Sequence, residues 1–240
     1  MDVKEQDILG SDIATHWYYM SKGRAMLSLL SGVNFTEVLD VGAGSGVFSR
    51  QILDAGLCQR AVCVDPAYVS ERVERQGDTE LEFVREIEAP TQDLILMMDV
   101  LEHVDDDVGL LRHYTRNLPA HGRVLISVPA FQFLWSGHDV FLEHRRRYTL
   151  NQIENVVRAA NLKVVRGRYF FGMLFPVAVA IRLAEARRLA SGKIHPESAL
   201  KRYPRVLNRA LIAAHDVERT FMLPMNRIAG LTAFCLARPV

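Results

Sequence analysis

Three glycines and two carboxylates in the first third of the chain have the residue types and spacing of a nucleotide-binding turn. In the stretch VLDVGAGSGVFS, residues 38–49, a short apolar run that contains Asp40 leads into a G-x-G-x-G pattern. The pattern comprises Gly42, Ala43, Gly44 and Gly46. Glycine permits a sharp turn and lets a ligand approach the backbone closely. A second apolar run, RAVCVDP, ends at Asp65, where a carboxylate can accept hydrogen bonds from both hydroxyls of a ribose.

Two common phosphate-binding patterns are absent from this turn. Val47 interrupts the G-x-G-x-x-G pattern of dinucleotide sites, and no Gly-Lys-Ser/Thr ending of a phosphate loop follows. A tight turn without a ligand is the alternative interpretation. The carboxylate at Asp65, 19 residues after Gly46, favours binding of a nucleoside-containing ligand.

A second set of reactive side chains follows two later apolar runs. The run DLILMMDV leads into Leu-Glu-His and three aspartates, and the run GRVLISV leads into PAFQFLWSGHD and then EHRRRYT. His138 is the predicted general base, because an imidazole titrates near neutral pH and can take a proton from a hydroxyl or an amine. Asp139 or Glu143 could orient it, and His144 is the second candidate. A histidine that only caps a helix or faces solvent is the alternative at both positions.

The elements that must position these residues have the pattern of strands alternating with helices. Strands buried in a parallel sheet appear as continuous apolar runs, and strands are predicted at 38–41, 60–66, 81–87, 93–100, 122–128, 162–171 and 231–238. The charged segment SERVERQG, residues 70–77, is predicted to be a short helix or a long turn. Helices are expected at 47–55, 106–118 and 150–160. Loops after parallel strands meet at one edge of such a sheet and form its binding crevice.

Composition and charge bound the class of protein. The chain has 240 residues, 49% of them hydrophobic, which suffices for one large α/β domain or a domain with an insertion. Residues 143–240 hold 18 of the 29 Lys and Arg but only 6 of the 28 Asp and Glu. This asymmetry indicates a basic face for a lipid surface, an acidic substrate or nucleic acid, with solvated arginine-rich helices as the alternative. The acidic, polar amino terminus and the three sparse cysteines predict a cytoplasmic location, at most peripheral to a membrane.

Four stretches together resemble the class I S-adenosylmethionine-dependent methyltransferases, and in particular a bacterial subgroup that acts on small molecules. They are the glycine loop with its flanking aspartates, HWYYMSKGR, MMDVLEHVDDD and SVPAFQFLWSGHDVFLEHRRRYT. The resemblance covers about residues 12–171 and 230–240. It implies a doubly wound, Rossmann-like α/β fold whose seven-stranded sheet has the order 3-2-1-4-5-7-6, with the last strand antiparallel. An N-terminal helical cap (1–31) would precede the cofactor-binding domain (32–240), which contains a helical insertion at 172–229.

The implied reaction is methyl transfer from S-adenosylmethionine to an oxygen or nitrogen of a small-molecule acceptor, with S-adenosylhomocysteine as product. The resemblance assigns the cofactor to Asp40, Gly42, Ala43, Gly44, Gly46, Asp65, Pro66, Glu86, Asp99, Val100, Leu101, Tyr19 and Lys22. His138, His144 and Asp99 would serve the acceptor. The alternatives are an enzyme that uses the same cofactor for cyclisation or elimination, and a non-catalytic binding module on the same fold.

The partners that the resemblance implies are limited. Some related methyltransferases, of small-RNA ends and of quinone precursors, hold a divalent metal on an acidic-x-x-Glu-His run similar to Asp99, Glu102 and His103, which His138 could complete. Since Leu-Glu-His is common in the family without a metal, none is assigned. Nucleic acid is not favoured, because Asp99-Val100-Leu101-Glu102 replaces the Asn-Pro-Pro-Tyr or Asp-Pro-Pro-Tyr motif of base methyltransferases. The acceptor could be hydrophobic or acidic. The apolar and basic insertion could be a lid, which is favoured, a dimer interface or a membrane contact, and the protein a monomer or a homodimer.

Overall fold

Eight strands form one mixed sheet in the computed structural model, which describes residues 8–189, 198 and 201–240. The strands are β1 (Glu37–Val41), β2 (Arg60–Val64), β3 (Arg72–Gln76), β4 (Thr79–Val84), β5 (Leu94–Met98), β6 (Arg123–Pro129), β7 (Leu162–Phe170) and β8 (Thr232–Pro239). Their order is β3-β4-β2-β1-β5-β6-β8-β7. The five strands from β4 to β6 in this order are parallel, and β3, β8 and β7 pair antiparallel with their neighbours.

The predicted fold class is confirmed, and one element is corrected. All seven predicted strands are present in the predicted order, with the last strand, β8, antiparallel between β6 and β7. The segment predicted as a short helix or long turn is instead β3, which forms a hairpin with β4. Pairing with β4 stabilises this segment as a strand. The guanidinium of Arg72 also lies 3.6 Å from the centre of the Phe83 ring, which adds a cation–π contact between the two strands.

The part of the chain that the structure describes contains seven α-helices, of which one precedes β1 and the others connect strands. They are α1 (Trp17–Leu30), α2 (Val47–Asp54), α3 (Asp107–Thr115), α4 (Gly137–Phe141), α5 (Leu150–Ala159), α6 (Phe175–Leu189) and α7 (Arg205–Phe221). Short 3-10 turns occupy Gly10–Thr15, Leu101–His103 and Gln132–Leu134. Helices α6 and α7 fall between β7 and β8, within the predicted insertion. Of that insertion, residues 190–197, 199 and 200 lie outside the described residues, as do residues 1–7 of the predicted cap.

The core has two layers, one on each face of the sheet. Successive residues of a strand point to opposite faces, and in β5 Leu94 and Leu96 pack in one hydrophobic cluster while Ile95 and Met97 pack in the other. The first cluster includes residues of α1 and α2, and the second includes residues of α3 and α5. Burial on both faces explains the continuous apolar runs in the sequence. Within the described part of the chain, no helix combines the length and the apolar character needed to cross a bilayer.

The parallel arrangement brings the important loops to one edge. The loops after β1, β2, β5 and β6 begin at the carboxyl ends of neighbouring parallel strands. They carry the glycine turn, Asp65, Asp99 and the histidine-containing segment, respectively. This edge is the position at which open α/β sheets bind their ligands.

Candidate active site

The glycine loop is shaped by backbone conformations that favour glycine. Gly42, Gly44 and Gly46 have φ values of +64°, +52° and +71°, in the left-handed region where a Cβ is unfavourable. The N–H of Gly42 donates to the carbonyl of Val64 over 2.7 Å, which ties the start of the loop to β2. The loop ends at Gly46, directly before the first turn of α2.

Asp65 holds the loop from the neighbouring strand. Its Oδ2 accepts a hydrogen bond from the N–H of Gly44 at 3.1 Å, and its Oδ1 accepts from the N–H of Ala67 at 2.9 Å. The hydroxyl of Tyr68 donates to the carbonyl of Gly44 at 2.7 Å. Asp65 and the glycine loop therefore lie together, as the sequence predicts, and Pro66 follows at the exposed rim.

Asp40 lies beneath the loop and ties β1 to α2. Its Oδ2 accepts a hydrogen bond from the hydroxyl of Ser49 at 2.8 Å. Burial raises the pKa of Asp40 to about 6, although the Ser49 hydrogen bond acts in the opposite direction. The predicted cofactor residue thus supports the loop from below.

The loop fits the cofactor that the resemblance implies. The hydroxyl oxygen of Ser45, in the middle of the loop, is buried and has no hydrogen-bond partner among the described residues. Buried hydroxyls normally have a hydrogen-bond partner, and a bound nucleoside could supply one to Ser45. The adjacent Asp65 carboxylate is an acceptor suited to ribose hydroxyls.

Asp99 is the centre of a polar network at the end of β5. Its φ is +58°, which turns the chain sharply away from the strand. Its carboxylate pairs with the ammonium of Lys22, which is fully buried, and accepts from Ser127 Oγ at 3.1 Å. Lys22 Nζ also donates to the hydroxyl of Tyr18 at 3.2 Å. Burial alone would raise the pKa of Asp99, but the charge of Lys22 outweighs it and leaves this pKa lowered.

Glu102 follows in a 3-10 turn and is fully buried. Neither carboxylate oxygen has a hydrogen-bond partner among the described residues. Burial, and then the negative charge of Asp99, hold the pKa of Glu102 well above its usual range. Beside it, burial and then the charge of His144 lower the pKa of His103 to about 4, so its imidazole is neutral at physiological pH.

Asp139 and His144 form a second buried network. His144 Nδ1 lies 2.9 Å from Asp139 Oδ1 and donates to it. Arg147 clamps the same carboxylate, with Nε 2.6 Å from Oδ1 and Nη2 3.0 Å from Oδ2. The N–H of Ser136 adds a third donor at 2.8 Å. Burial would raise the pKa of Asp139, but these partners hold it well below its usual range.

His138 lies on α4 beside this network. Its ring centre is 6.5 Å from that of His144, and burial lowers its pKa to about 4. The sequence predicts that Asp139 or Glu143 orients His138. In the structure the Asp139 carboxylate accepts from His144, because α4 ends at Phe141 and the following turn carries His144 back over Asp139. The orientation of His138 by Asp139 or Glu143 stays a prediction.

The remaining predicted cofactor residues occupy different environments. Val100 and Leu101 are buried beside Asp99 at the site edge, whereas Glu86 is exposed after β4. Tyr19 is fully buried, with its ring centre 6.1 Å from that of Phe48 on α2. Tyr19 packs in the core, and its approach to the cofactor stays a prediction.

Sequence reasoning missed Tyr18 as a site residue. Tyr18 and Lys22 are one helical turn apart on α1, so their side chains share a face. That spacing, in a stretch rich in aromatics and cations, was the signal that could have selected Tyr18 instead of Tyr19. The hydroxyl of Tyr18 lies 3.5 Å from Asp99 Oδ2.

Glu102, His103 and His144 also offer a set of metal-binding atoms. One ligand atom from each lies within 4.8 Å of the other two. Two imidazoles and a carboxylate can bind a divalent transition metal. The set differs from the one considered from sequence, because Asp99 pairs with Lys22 and His144 takes the place of His138.

Comparison with known proteins gives a family match and several similar folds. Residues 16–166 match the family model described as a methyltransferase domain. A search of curated proteins gives no match. The chain is similar to one in the complex between the Haloferax volcanii Trm112 methyltransferase activator and its proposed methyltransferase (TM-score 0.57, 16% identity, 96% of this chain and 93% of that chain).

Two further structures share the fold. A SAM-dependent methyltransferase from Archaeoglobus fulgidus has a TM-score of 0.54 and 12% identity over 92% of this chain and 93% of that chain. Phosphoethanolamine N-methyltransferase 2 of Haemonchus contortus, solved with phosphomonomethylethanolamine and S-adenosylhomocysteine, has a TM-score of 0.53 and 15% identity. That match covers 91% of this chain and 52% of the other.

Proposed function

Since the chain belongs to the methyltransferase-domain family of class I enzymes, with S-adenosylmethionine as cofactor, we propose that it methylates an oxygen or nitrogen of a small-molecule acceptor. The observation that carries the proposal is the buried Asp139–His144 pair, close to Glu102 and His103 at the edge that also holds the glycine loop. A binding module without activity would not need an oriented imidazole at this place.

The donor would be held by the loops after β1, β2 and β5. The backbone of Gly42 to Gly46 would lie against the donor, and Asp65 would accept hydrogen bonds from its ribose hydroxyls. Leu101 would line the methionine part of the donor. When bound, S-adenosylmethionine supplies a methyl group that is already activated by the sulfonium. The protein therefore contributes mainly alignment, exclusion of water and removal of one proton.

His144 is the best supported base. Asp139 accepts from its Nδ1, and this fixes the tautomer in which the lone pair is on Nε2. Arg147 and Ser136 hold Asp139 in turn, so the imidazole has a defined orientation. An acceptor that hydrogen-bonds to Nε2 would lose its proton there as the new bond to carbon forms.

The acceptor side of the cleft is aromatic. Phe131, two residues after the end of β6, stacks on Tyr169 with ring centres 5.0 Å apart. The ring of Phe175, at the start of α6, lies 5.3 Å from that of Phe131. Phe133 is exposed on the same loop, 5.4 Å from Phe131. Such a wall favours an acceptor with an apolar or aromatic part.

The first test is calorimetric titration of the purified protein with S-adenosylhomocysteine. Wild type should bind in the micromolar range, and Asp65→Asn should weaken binding about ten- to hundred-fold, because a charge-assisted acceptor for ribose is lost. Asp54→Asn, at the exposed end of α2, is the matched control and should bind as wild type does. A folded wild type that does not bind would overturn the proposal.

The second test concerns the base and the reaction type. With methyl-labelled donor and a panel of aromatic alcohols and amines, wild type should release S-adenosylhomocysteine and label the acceptor. His144→Gln should lower kcat about 10²- to 10⁴-fold without changing cofactor affinity, whereas His138→Gln should have a much smaller effect. Release of methylthioadenosine instead would indicate elimination or cyclisation chemistry.

A metal-assisted form of the same transfer is the second candidate. The carboxylate of Glu102 is fully buried beside His103 and His144 and has no partner in the described part of the chain. This favours the metal-assisted form, since a divalent cation would satisfy that carboxylate. A cation bound there would lower the pKa of an acceptor hydroxyl. Dialysis against a chelator should abolish turnover but spare S-adenosylhomocysteine binding if this form is correct. Unchanged turnover would exclude it.

A further inference from the structure

Helix α7 turns an apolar side to the outside of the protein. Its outward residues recur at helical spacing and are Val206, Ala210, Ala213, Val217 and Phe221. Of these, Val206 is 82% exposed, Val217 55% and Phe221 68%. Residues three and four apart share one face of a helix, so these side chains form one stripe along all 17 residues of α7. We refer to it as the outer stripe.

The side of α7 that faces the protein carries polar, paired residues beside the half-buried Leu211 and Ile212. His215 and Glu218 are buried, with Nδ1 of the histidine 2.9 Å from Oε2 of the glutamate. Asn208 Oδ1 accepts from the N–H of Trp17 at 2.8 Å, and Asp216 pairs with Arg24 of α1. These contacts fix which side of α7 faces the protein, so the outer stripe is a stable feature of the fold.

The apolar surface continues beyond the helix. Met222, Met225 and Ile228, in the segment that leads back to β8, are also exposed. Exposed large apolar side chains grouped in this way mark an interaction surface, whereas scattered ones do not.

Exposed cations lie at the amino-terminal end of the outer stripe. Lys201, Arg205 and Arg209 are exposed, Arg202 is paired with Asp12, and the sequence contains no Asp or Glu from 201 to 215. The next acidic residue, Asp216, is already paired with Arg24. An exposed apolar stripe with cations beside it complements an anionic lipid surface, where apolar side chains enter the interface and cations meet phosphate groups.

We propose that α7 and the segment after it dock on an anionic membrane surface, with the outer stripe in the interfacial region. The helix would lie in the plane of the interface over a length of about 25 Å. A second copy of the chain suits the surface less well. A twofold interface places the same patch on both partners, and a second copy offers these exposed cations no anionic surface of the kind that lipid headgroups supply. The docking does not depend on the methyl transfer proposed above.

The test is co-sedimentation of the full chain with vesicles of phosphatidylcholine and phosphatidylglycerol in equal parts, compared with pure phosphatidylcholine. Wild type should bind the anionic vesicles. Binding should weaken strongly when the salt concentration rises from about 50 to about 500 mM, because salt screens the attraction between exposed charges. Phe221→Asp should lower the partition coefficient about ten-fold or more. Arg205→Gln with Arg209→Gln should lower it about 25-fold.

Val69→Asp is the matched control, because Val69 is 99% exposed but lies outside the outer stripe. It should bind vesicles as wild type does, and all variants should keep the wild-type circular dichroism spectrum. The proposal is overturned if wild type ignores anionic vesicles or if Phe221→Asp binds them equally well. A dimer in light scattering that Phe221→Asp dissociates, without vesicle binding, would assign the stripe to a second copy instead.

Discussion

Gly46 is the position where one added methyl group should be most informative. It lies at the end of the glycine loop with φ +71° and ψ +20°, directly before α2. A Cβ at this position would lie 3.1 Å from Cε1 of Phe83 and 3.2 Å from Sγ of Cys63. Both neighbours are fully buried in the layer between the sheet and α2, so neither can move away without disturbing the core.

The cost of Gly46→Ala has two parts that can be separated. An L-residue in the left-handed region costs about 1–2 kcal/mol, of which about 0.4–1 kcal/mol is recovered because alanine restricts the unfolded chain. Overpacking against Phe83 and Cys63 adds about 1–3 kcal/mol. Gly56 is the matched control, since its φ is +68° but nothing lies within 4 Å of its added Cβ. Gly56→Ala should therefore show the first part alone.

The assay is urea unfolding of both variants. We expect Gly46→Ala to be less stable than Gly56→Ala by about 1–3 kcal/mol, with unchanged m-values. Adding Phe83→Leu to Gly46→Ala should recover part of the loss, because residues in contact are not additive. Equal stability of the two alanine variants would refute the close packing of the loop on β2 and β4.

Three further predictions concern buried ionisable groups. The pKa of Asp40 is about 6 in the folded protein and 3.8 in the unfolded chain, so its contribution to the free energy of unfolding is lost as pH rises from about 4 to 6. Asp40→Asn should flatten that part of the stability profile. The pKa of His103 is about 4, so stability should fall as pH drops from about 6.5 towards 4, and His103→Gln should reduce this fall. Asp139→Asn should cost about 3–5 kcal/mol, because the buried Arg147 loses its partner, and should lower kcat more than it changes KM.

Each of these predictions has an outcome that would contradict it. For Asp40 and His103, stability measured by urea unfolding across pH 4–8 must change in slope, and a parallel shift of the whole curve would show that the group does not titrate as described. For Asp139, Asp78→Asn in the exposed turn between β3 and β4 is the control. An Asp139 variant as stable as this control would contradict the buried ion pair.

The fold could be predicted from the sequence because its signals are local and redundant. Continuous apolar runs identify strands buried on both faces, and every residue of β5 is indeed buried in one cluster or the other. Gly42, Gly44 and Gly46 mark left-handed backbone, which few other residues adopt. The strand order followed from the resemblance that these motifs carry.

The segment at 72–76 could not be predicted in the same way. It has one apolar residue, Val73, among charged and polar ones, and this gives no strand pattern. Only pairing with β4 makes it a strand. Pairing depends on a partner elsewhere in the chain, and the propensity of the segment itself decides little.

The sequence by itself determined which residue types are present at the site and which strand each follows. It could not choose among neighbouring candidates, because that choice depends on where side chains point. Tertiary structure brought His144 onto Asp139, and it placed Lys22 on Asp99. It also left the outer stripe of α7 exposed. Side-chain partners are set by the packing of distant elements, whereas strands, turns and glycine conformations are set by neighbours along the chain.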